Sequence, residues 1–197
     1  MLFDFYFYSI LSDLGDLRGE ERFFMNMQIA ITGRGGQGVL FLTRILAECA
    51  LRLGVEVIAS ETHGMAIRGG SVISTLKVGS YRGPLIRSGQ ADLILALDEG
   101  SVDTYAHLLA PHGALILNTP RSSSSPAIDA TGMAAGIGSP LMANLILLGF
   151  ALKFKKLFCD YSLAESVTKA ISPERFREAN LNALQLGYSA GDPEGDG

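Results

Sequence analysis

Met27-Gln28-Ile29-Ala30-Ile31-Thr32-Gly33-Arg34-Gly35-Gly36-Gln37-Gly38-Val39 is the stretch on which the reading of this chain turns. Its first six residues form a short apolar run that reads as a buried strand. Gly33 to Gly38 fit the spacing G-x-G-x-x-G between that strand and a helix, the setting such a loop needs. Beyond it, Val39, Leu42, Leu46, Cys49, Ala50 and Leu53 recur at helical spacing, which predicts a helix over 39–53 stopped by Gly54. Residues 55–60 then read as a second buried strand. Strand, loop, helix and strand together predict a right-handed crossover in a parallel sheet.

The loop has a physical rationale. Glycines permit a tight turn, and without side chains their N–H groups can approach a phosphate. The helix after the loop adds the positive end of its dipole. Arg34 offers a fork of donors to a second phosphate. The competing reading is a glycine turn kept only for close helix–sheet packing. Spacing alone does not name the nucleotide. Glu61, 23 residues after Gly38 at the end of the second strand, is placed to hold a ribose hydroxyl, which by itself points to NAD.

Further along, polar and small residues interrupt the pattern over 61–70. Residues 71–78 read as a strand, 81–90 as a loop, and 92–97 as a fully apolar strand. A short helix is predicted over 101–110, ended by Pro111-His112-Gly113, and a strand over 114–118. Residues 119–125 (Thr-Pro-Arg-Ser-Ser-Ser-Ser) read as a mobile loop, with a weak strand near Ala127. Ser139-Pro140 opens a long apolar helix over 141–156, and two more helices are predicted over 162–171 and 173–188. Strands alternating with helices predict an α/β, doubly wound, mostly parallel sheet with a Rossmann-like glycine loop and a helical C-terminal part.

Composition narrows the function. The chain has 197 residues, 48% apolar and 18% charged, with a net charge of −4. That excludes a disordered chain, and the balance does not draw it to nucleic acid. The longest apolar stretch, 141–154, is too short to span a membrane. So few charges predict a surface covered by a partner or a second copy. Two isolated cysteines, Cys49 and Cys159, cannot ligate an iron–sulfur cluster or a structural zinc, and the three histidines are scattered, so no metal site is predicted. Reduced thiols suit the cytoplasm. Residues 1–25, opening on Phe3, Phe5, Tyr6, Phe7 and Tyr8, lack the basic start of a signal peptide and read as an extension. The domain is expected over 26–188, and 189–197 as a flexible tail.

Two other segments carry chemistry. Residues 60–71 (Ser-Glu-Thr-His-Gly-Met-Ala-Ile-Arg-Gly-Gly-Ser) are dense in functional side chains. His63 is an acid/base candidate or a structural hydrogen-bonder. Arg68 beside two glycines resembles an anion-binding turn, or forms a loop-fixing ion pair with Glu61. Asn144, in an otherwise apolar helix, must find partners, either a backbone group or a ligand.

Taken together and in this order, the Gly33–Gly38 loop, the block His63-Gly64-Met65-Ala66-x-Arg68-Gly69-Gly70-Ser71, the Asn144 helix and the later Asn180-Leu181-x-Ala183-Leu184-x-Leu186-Gly187-Tyr188 resemble the gamma-type subunit or domain of the 2-oxoacid:ferredoxin oxidoreductases. The wording of the second block is nearest to the indolepyruvate branch. The resemblance implies oxidative decarboxylation of a 2-oxoacid such as indolepyruvate or pyruvate to an acyl-CoA, with electrons passing to ferredoxin. It implies that thiamine diphosphate and iron–sulfur clusters reside on a larger partner chain. This chain would supply the coenzyme A phosphate site and cover the partner's thiamine diphosphate. On that reading Gly33, Arg34, Gly35, Gly36, Gln37 and Gly38 face the phosphates, with Arg68 and Asn144 behind them, and His63 and Glu61 face the partner's active site. A stand-alone NAD(P)-binding oxidoreductase and a non-catalytic nucleotide-binding scaffold are the alternatives.

Overall fold

The computed structural model describes residues 26–63, 70–154 and 157–190. In chain order the elements are β1 (Met27–Arg34), α1 (Val39–Arg52), β2 (Val57–His63), β3 (Ser71–Val78), β4 (Ala91–Ala96), α2 (Glu99–Tyr105), β5 (Leu109–Asn118), β6 (Ala127–Ile128), α3 (Ala130–Gly136), α4 (Ala143–Lys153), α5 (Tyr161–Ile171) and α6 (Glu174–Ala190). Single turns of 3-10 helix follow α2 (Ala106–Leu108) and precede α4 (Pro140–Met142).

Among the described residues, the strands form one sheet in the order β2-β3-β1-β4-β5-β6. β1, β4, β5 and β6 are successively parallel, while β3 is antiparallel to both β1 and β2. The expected mostly parallel α/β architecture is therefore present, with one change. α1 does carry the chain to a strand parallel to β1, but β3 is inserted between the two. The polar segment expected to break after residue 60 instead continues β2 through Glu61, Thr62 and His63, which pair with Ser74, Ile73 and Val72. Ladder hydrogen bonds override weak strand propensity there.

Alternation along β1 and β4 sorts the core onto two faces. Ile29, Ile31, Leu93 and Leu95 face the layer built by α1, α4, α5 and α6. Ala30, Ile94 and Ala96 face a thinner layer of Ile86, Val102, Tyr105 and Leu108. Burial on both faces is why these strands read as continuous apolar runs. α1 buries Val39, Leu42, Ile45, Leu46, Cys49 and Ala50, and ends where Val55 N–H bonds the Ala50 carbonyl at 3.0 Å around left-handed Gly54.

α4 is buried on every side from Asn144 to Leu152, which fits a helix with no polar face. It starts two residues later than expected because Pro140 opens a 3-10 turn rather than the helix. α6 lies against it so closely that the two backbones touch at Gly149 and Gly187. Cys49 and Cys159 are not isolated, as their spacing implied. Both are buried, and the hydrogen bond between them, together with burial, pushes the Cys159 thiol well above its ordinary range.

Two more expectations are corrected. The helix predicted over 101–110 is α2 plus its 3-10 turn, and β5 begins at Leu109, running through Pro111-His112-Gly113. The register shift between Ala91 and Leu93 accommodates that proline at a bulge. α3 was not foreseen, because two glycines in seven residues hide its propensity. Asp129 caps it by accepting Gly132 N–H at 2.8 Å, and a Cβ on Gly132 would strike that carboxylate. Among the described residues, no helix is long and apolar enough to cross a membrane.

Candidate functional site

The chain leaves β1 towards one side of the sheet, through α1, and leaves β4 towards the other, through α2. The C-terminal ends of β1 and β4 thus flank a topological switch point, where open α/β sheets bind ligands. The Gly33–Gly38 loop closes the β1 side. Leu97-Asp98-Glu99-Gly100 closes the β4 side, and Asn118 and Thr119 at the end of β5 form the next wall.

Within the loop the six residues divide the work. Gln37 turns inwards: its Oε1 accepts Arg34 N–H at 2.6 Å and its Nε2 donates to the Leu97 carbonyl at 3.3 Å. Gln37 N–H bonds the Arg34 carbonyl at 3.1 Å, and Gly35 N–H bonds the Gly70 carbonyl at 3.1 Å. These groups brace the loop. Among the described residues, the N–H groups of Gly36 and Gly38 bond no protein acceptor. Gly36 has φ +96° and open space where a Cβ would stand. Gly38 has φ +81° and caps the N-terminus of α1. The donors left for an anion are therefore Gly36, Gly38 and the first turn of α1.

Arg34 reaches across the crevice to Asp98, Nε to Oδ1 at 2.9 Å, with 59% of its side chain exposed. Asp98 precedes α2 as its N-cap yet makes no capping hydrogen bond, because its carboxylate is turned to the arginine. A Cβ on Gly100 would lie 3.0 Å from Asp98 Oδ2 and 3.6 Å from Arg34 Nη2, so glycine there leaves the pair its room. Deeper in, Asn118 Nδ2 donates to the Leu97 carbonyl at 3.0 Å and to Thr131 Oγ1 at 2.8 Å, fixing the β4 and β5 ends together. Thr32 and Ser101 share a hydroxyl hydrogen bond at 2.9 Å beneath Asp98. Thr119 donates to Glu99, which also meets exposed Arg121 at 3.4 Å.

Asn144 is buried and donates from Nδ2 to the Gly38 carbonyl at 3.3 Å, while its Oδ1 accepts Leu145 N–H at 2.8 Å. It is the backbone-satisfying brace that one of its two readings required, and it ties α4 to the loop. Glu61 is exposed at the C-terminal end of β2. Because β3 intervenes, β2 lies about two strand spacings, roughly 10 Å, from β1. The geometry that suggested a ribose contact is therefore altered. The His63 backbone stands level with Gly33, both opposite Val72 of β3. Arg68 lies outside the described residues.

Asp98, Asn118 and Gly70 join this site without having been singled out one by one. The signal for Asp98 was its place, a charged residue directly after the fully apolar β4. A cavity of about 590 Å³ lies elsewhere, around Leu53, Phe158, Cys159 and Leu163 at the far end of α1. Among the described residues its lining holds no basic side chain, whereas the crevice carries Arg34.

The chain is similar to known proteins over most of its length. Residues 28–190 match the family model described as pyruvate ferredoxin/flavodoxin oxidoreductase. The indolepyruvate oxidoreductase subunit IorB of Archaeoglobus fulgidus is 30% identical over 84% of this chain and 95% of its own. The keto/oxoacid ferredoxin oxidoreductase gamma subunit of Geobacter sulfurreducens superposes with a TM-score of 0.68 at 25% identity, covering 84% of this chain and 98% of that one. The 2-oxoglutarate:ferredoxin oxidoreductase of Magnetococcus marinus, solved with 2-oxoglutarate, coenzyme A and succinyl-CoA bound, shares the fold with a TM-score of 0.70 at 19% identity, over 84% of this chain and 31% of that one. A glycine loop at the switch point of this sheet, a match over most of the chain and relatives that are oxidoreductase subunits lead to one assignment: the chain belongs to the pyruvate ferredoxin/flavodoxin oxidoreductase family.

Proposed function

We propose that this chain is the gamma-type subunit of a multi-chain 2-oxoacid:ferredoxin oxidoreductase, and that its glycine loop holds the phosphates of coenzyme A. The substrate is a 2-oxoacid such as indolepyruvate or pyruvate, the products an acyl-CoA and carbon dioxide, and the acceptor ferredoxin. In that complex decarboxylation and electron transfer belong to thiamine diphosphate and iron–sulfur clusters on larger partner chains. This chain's two cysteines are both buried in the core, and two thiols are too few for a cluster ligand set. Residues 26–188 are the working domain, and the complex is cytoplasmic.

The observation that carries the coenzyme A reading is the pair of N–H groups at Gly36 and Gly38, which have no acceptor among the described residues and stand at the positive end of α1 with Arg34 beside them. Gly35, Gln37 and Asn144 hold that cradle in shape, and Gly33 lets it pack: a Cβ there would stand 2.8 Å from Gln37 Oε1 and 3.0 Å from Leu97 Cβ. Arg68 follows as an additional anion contact. His63 and Glu61, at the end of β2, face the partner's active site. An NAD reading is less well supported, because it rested on Glu61 at the end of a strand beside β1, and on that side the neighbour of β1 is β3, with β2 one strand further out.

Two measurements test this. Anaerobic purification of the chain from its host should bring down a larger chain together with iron and thiamine diphosphate. A lone, iron-free oligomer overturns the subunit reading. In the assembled complex, replacing Gly35 by leucine should raise the KM for coenzyme A by about tenfold, because a side chain there distorts the braced loop that aims the Gly36 and Gly38 N–H groups. An unchanged KM overturns the coenzyme A assignment.

A further inference from the structure

Asp98 is not explained by the fold. A helix N-cap aspartate ordinarily accepts an N–H from the first turn, and removing such a cap destabilises the helix. Asp98 makes no such bond. Its backbone carbonyl does the local work instead, accepting Ser101 Oγ at 2.6 Å and Ser101 N–H at 3.1 Å. The carboxylate is left for Arg34, at 2.9 Å, and Gly100 leaves room for that contact. Asp98 is only 18% exposed, whereas Arg34 is 59% exposed. The carboxylate is thus the fixed member of the pair and the guanidinium the one being held.

We infer that Asp98 is a positioning residue, holding Arg34 across the mouth of the glycine loop so that its remaining donors meet an anionic ligand already aligned. This rests on the reading of the loop as a coenzyme A phosphate site. A guanidinium has five N–H donors in a planar fork. The carboxylate at Nε occupies one edge and leaves the outer Nη donors for a phosphate. A free arginine at this exposure loses rotamer freedom when a ligand fixes it, and Asp98 removes part of that loss beforehand. The opposing effect is repulsion between Asp98 and the phosphate. It is reduced because the carboxylate's charge is already matched by Arg34, and because the crevice is open to screening solvent.

The test is made in the assembled complex, with KM and kcat measured for coenzyme A and for the 2-oxoacid. Arg34→Ala should raise the coenzyme A KM about tenfold. Asp98→Asn should raise it about three- to fivefold, with kcat and the 2-oxoacid KM unchanged. The double variant should match Arg34→Ala, because a positioning residue has nothing left to position. Asp98→Glu, which keeps the charge but moves the carboxylate one methylene, should fall between wild type and Asp98→Asn. Thermal unfolding within about 2 °C of wild type shows that Asp98→Asn remains folded, as expected for a side chain that caps nothing.

A lower KM in Asp98→Asn overturns the inference, since Asp98 would then be a competitor for Arg34. Additive effects in the double variant also overturn it, because Asp98 would act independently of the arginine. A misfolded Asp98→Asn alongside a folded Asp98→Glu of wild-type KM overturns it in favour of a structural role. If Arg34→Ala leaves the coenzyme A KM unchanged, the assignment of the loop itself fails and this inference fails with it. If only the Asp98 variants are silent, the loop assignment stands and the positioning role alone is lost.

Discussion

Two regions of the molecule use glycine for opposite ends. At Gly36 there is open space where a side chain would be, and the backbone holds φ +96°. At Gly149 and Gly187 there is no space at all. A Cβ on Gly149 would strike the Leu184 carbonyl and lie 2.7 Å from Tyr188 N, and one on Gly187 would strike the Ile146 carbonyl. The first region leaves room, which on the proposed function is for a ligand. The second removes room so that α4 and α6 can press backbone to backbone. In the sequence Gly36 stands between Gly35 and Gln37, while Gly149 and Gly187 stand between apolar or aromatic residues, but neither setting says whether the space is open or closed. The difference lies in what surrounds the missing side chain.

The comparison can be broken by single substitutions. Gly187→Ala should have the largest effect on stability. Alanine favours helix by about 1 kcal/mol, but it forces two backbones apart, and overpacking a rigid site costs more. A net loss of about 2–3 kcal/mol should lower the Tm of the assembled protein by roughly 5–10 °C, with little change in coenzyme A KM. If Gly187→Ala instead alters KM and not Tm, the helix contact is part of the site rather than of the packing.

Gly38→Ala is next and falls between the two classes. Left-handed backbone at φ +81° is strained for alanine by about 1–2 kcal/mol, and its Cβ would collide with the Asn144 amide. It should lower Tm and raise the coenzyme A KM together. Adding Asn144→Ala should recover part of the stability by removing the collision, which thermal unfolding of the double variant will report.

Gly36→Ala has no collision, only strain, so its stability loss should be about 1 kcal/mol while the coenzyme A KM rises several-fold. Equal losses of stability in Gly36→Ala and Gly187→Ala would erase the contrast drawn above.

The smallest effect concerns the packing region alone. Tyr161 lies ring to ring with Tyr188, centroids 4.5 Å apart, and donates to Glu165 at 3.1 Å. Burial first, then that hydrogen bond and the Glu165 charge, push its phenol up to about 12. The unfolded value is about 10. A group raised on folding stabilises fully below its unfolded pKa and loses that contribution as pH rises through its folded value. Stability should therefore fall between about pH 10 and 12, and Tyr161→Phe should flatten this fall. Tyr161 is only partly buried, so solvent screening keeps the change small. An unaltered alkaline profile in Tyr161→Phe would remove Tyr161 as its cause.

How much of this was legible beforehand differs between regions. The β1–loop–α1 unit was readable because its signals are local: an apolar run, glycines at set spacing, and helical periodicity within one stretch. The continuation of β2 to His63 was not, because its polar residues are held by pairing with β3. α3 was hidden by its glycines and appears only where Asp129 and Asn118 hold it. In the candidate site, the place of the glycine loop between β1 and α1 was legible, but the different contacts of its residues were not. Gln37 had the same standing as Arg34 in the sequence, and only its contact with Leu97, sixty positions away, turns it into a brace.

By itself the sequence determined the α/β alternation, the glycine loop ahead of a helix and the family to which these blocks point, because each is written in residues close along the chain. Only the tertiary structure decided that β3 separates β1 from β2, that Asp98 faces Arg34, that Asn144 supports Gly38, and which glycines keep space open and which close it. Those facts are contacts between residues distant in sequence, created when the sheet brings strand ends together, and no local pattern encodes them.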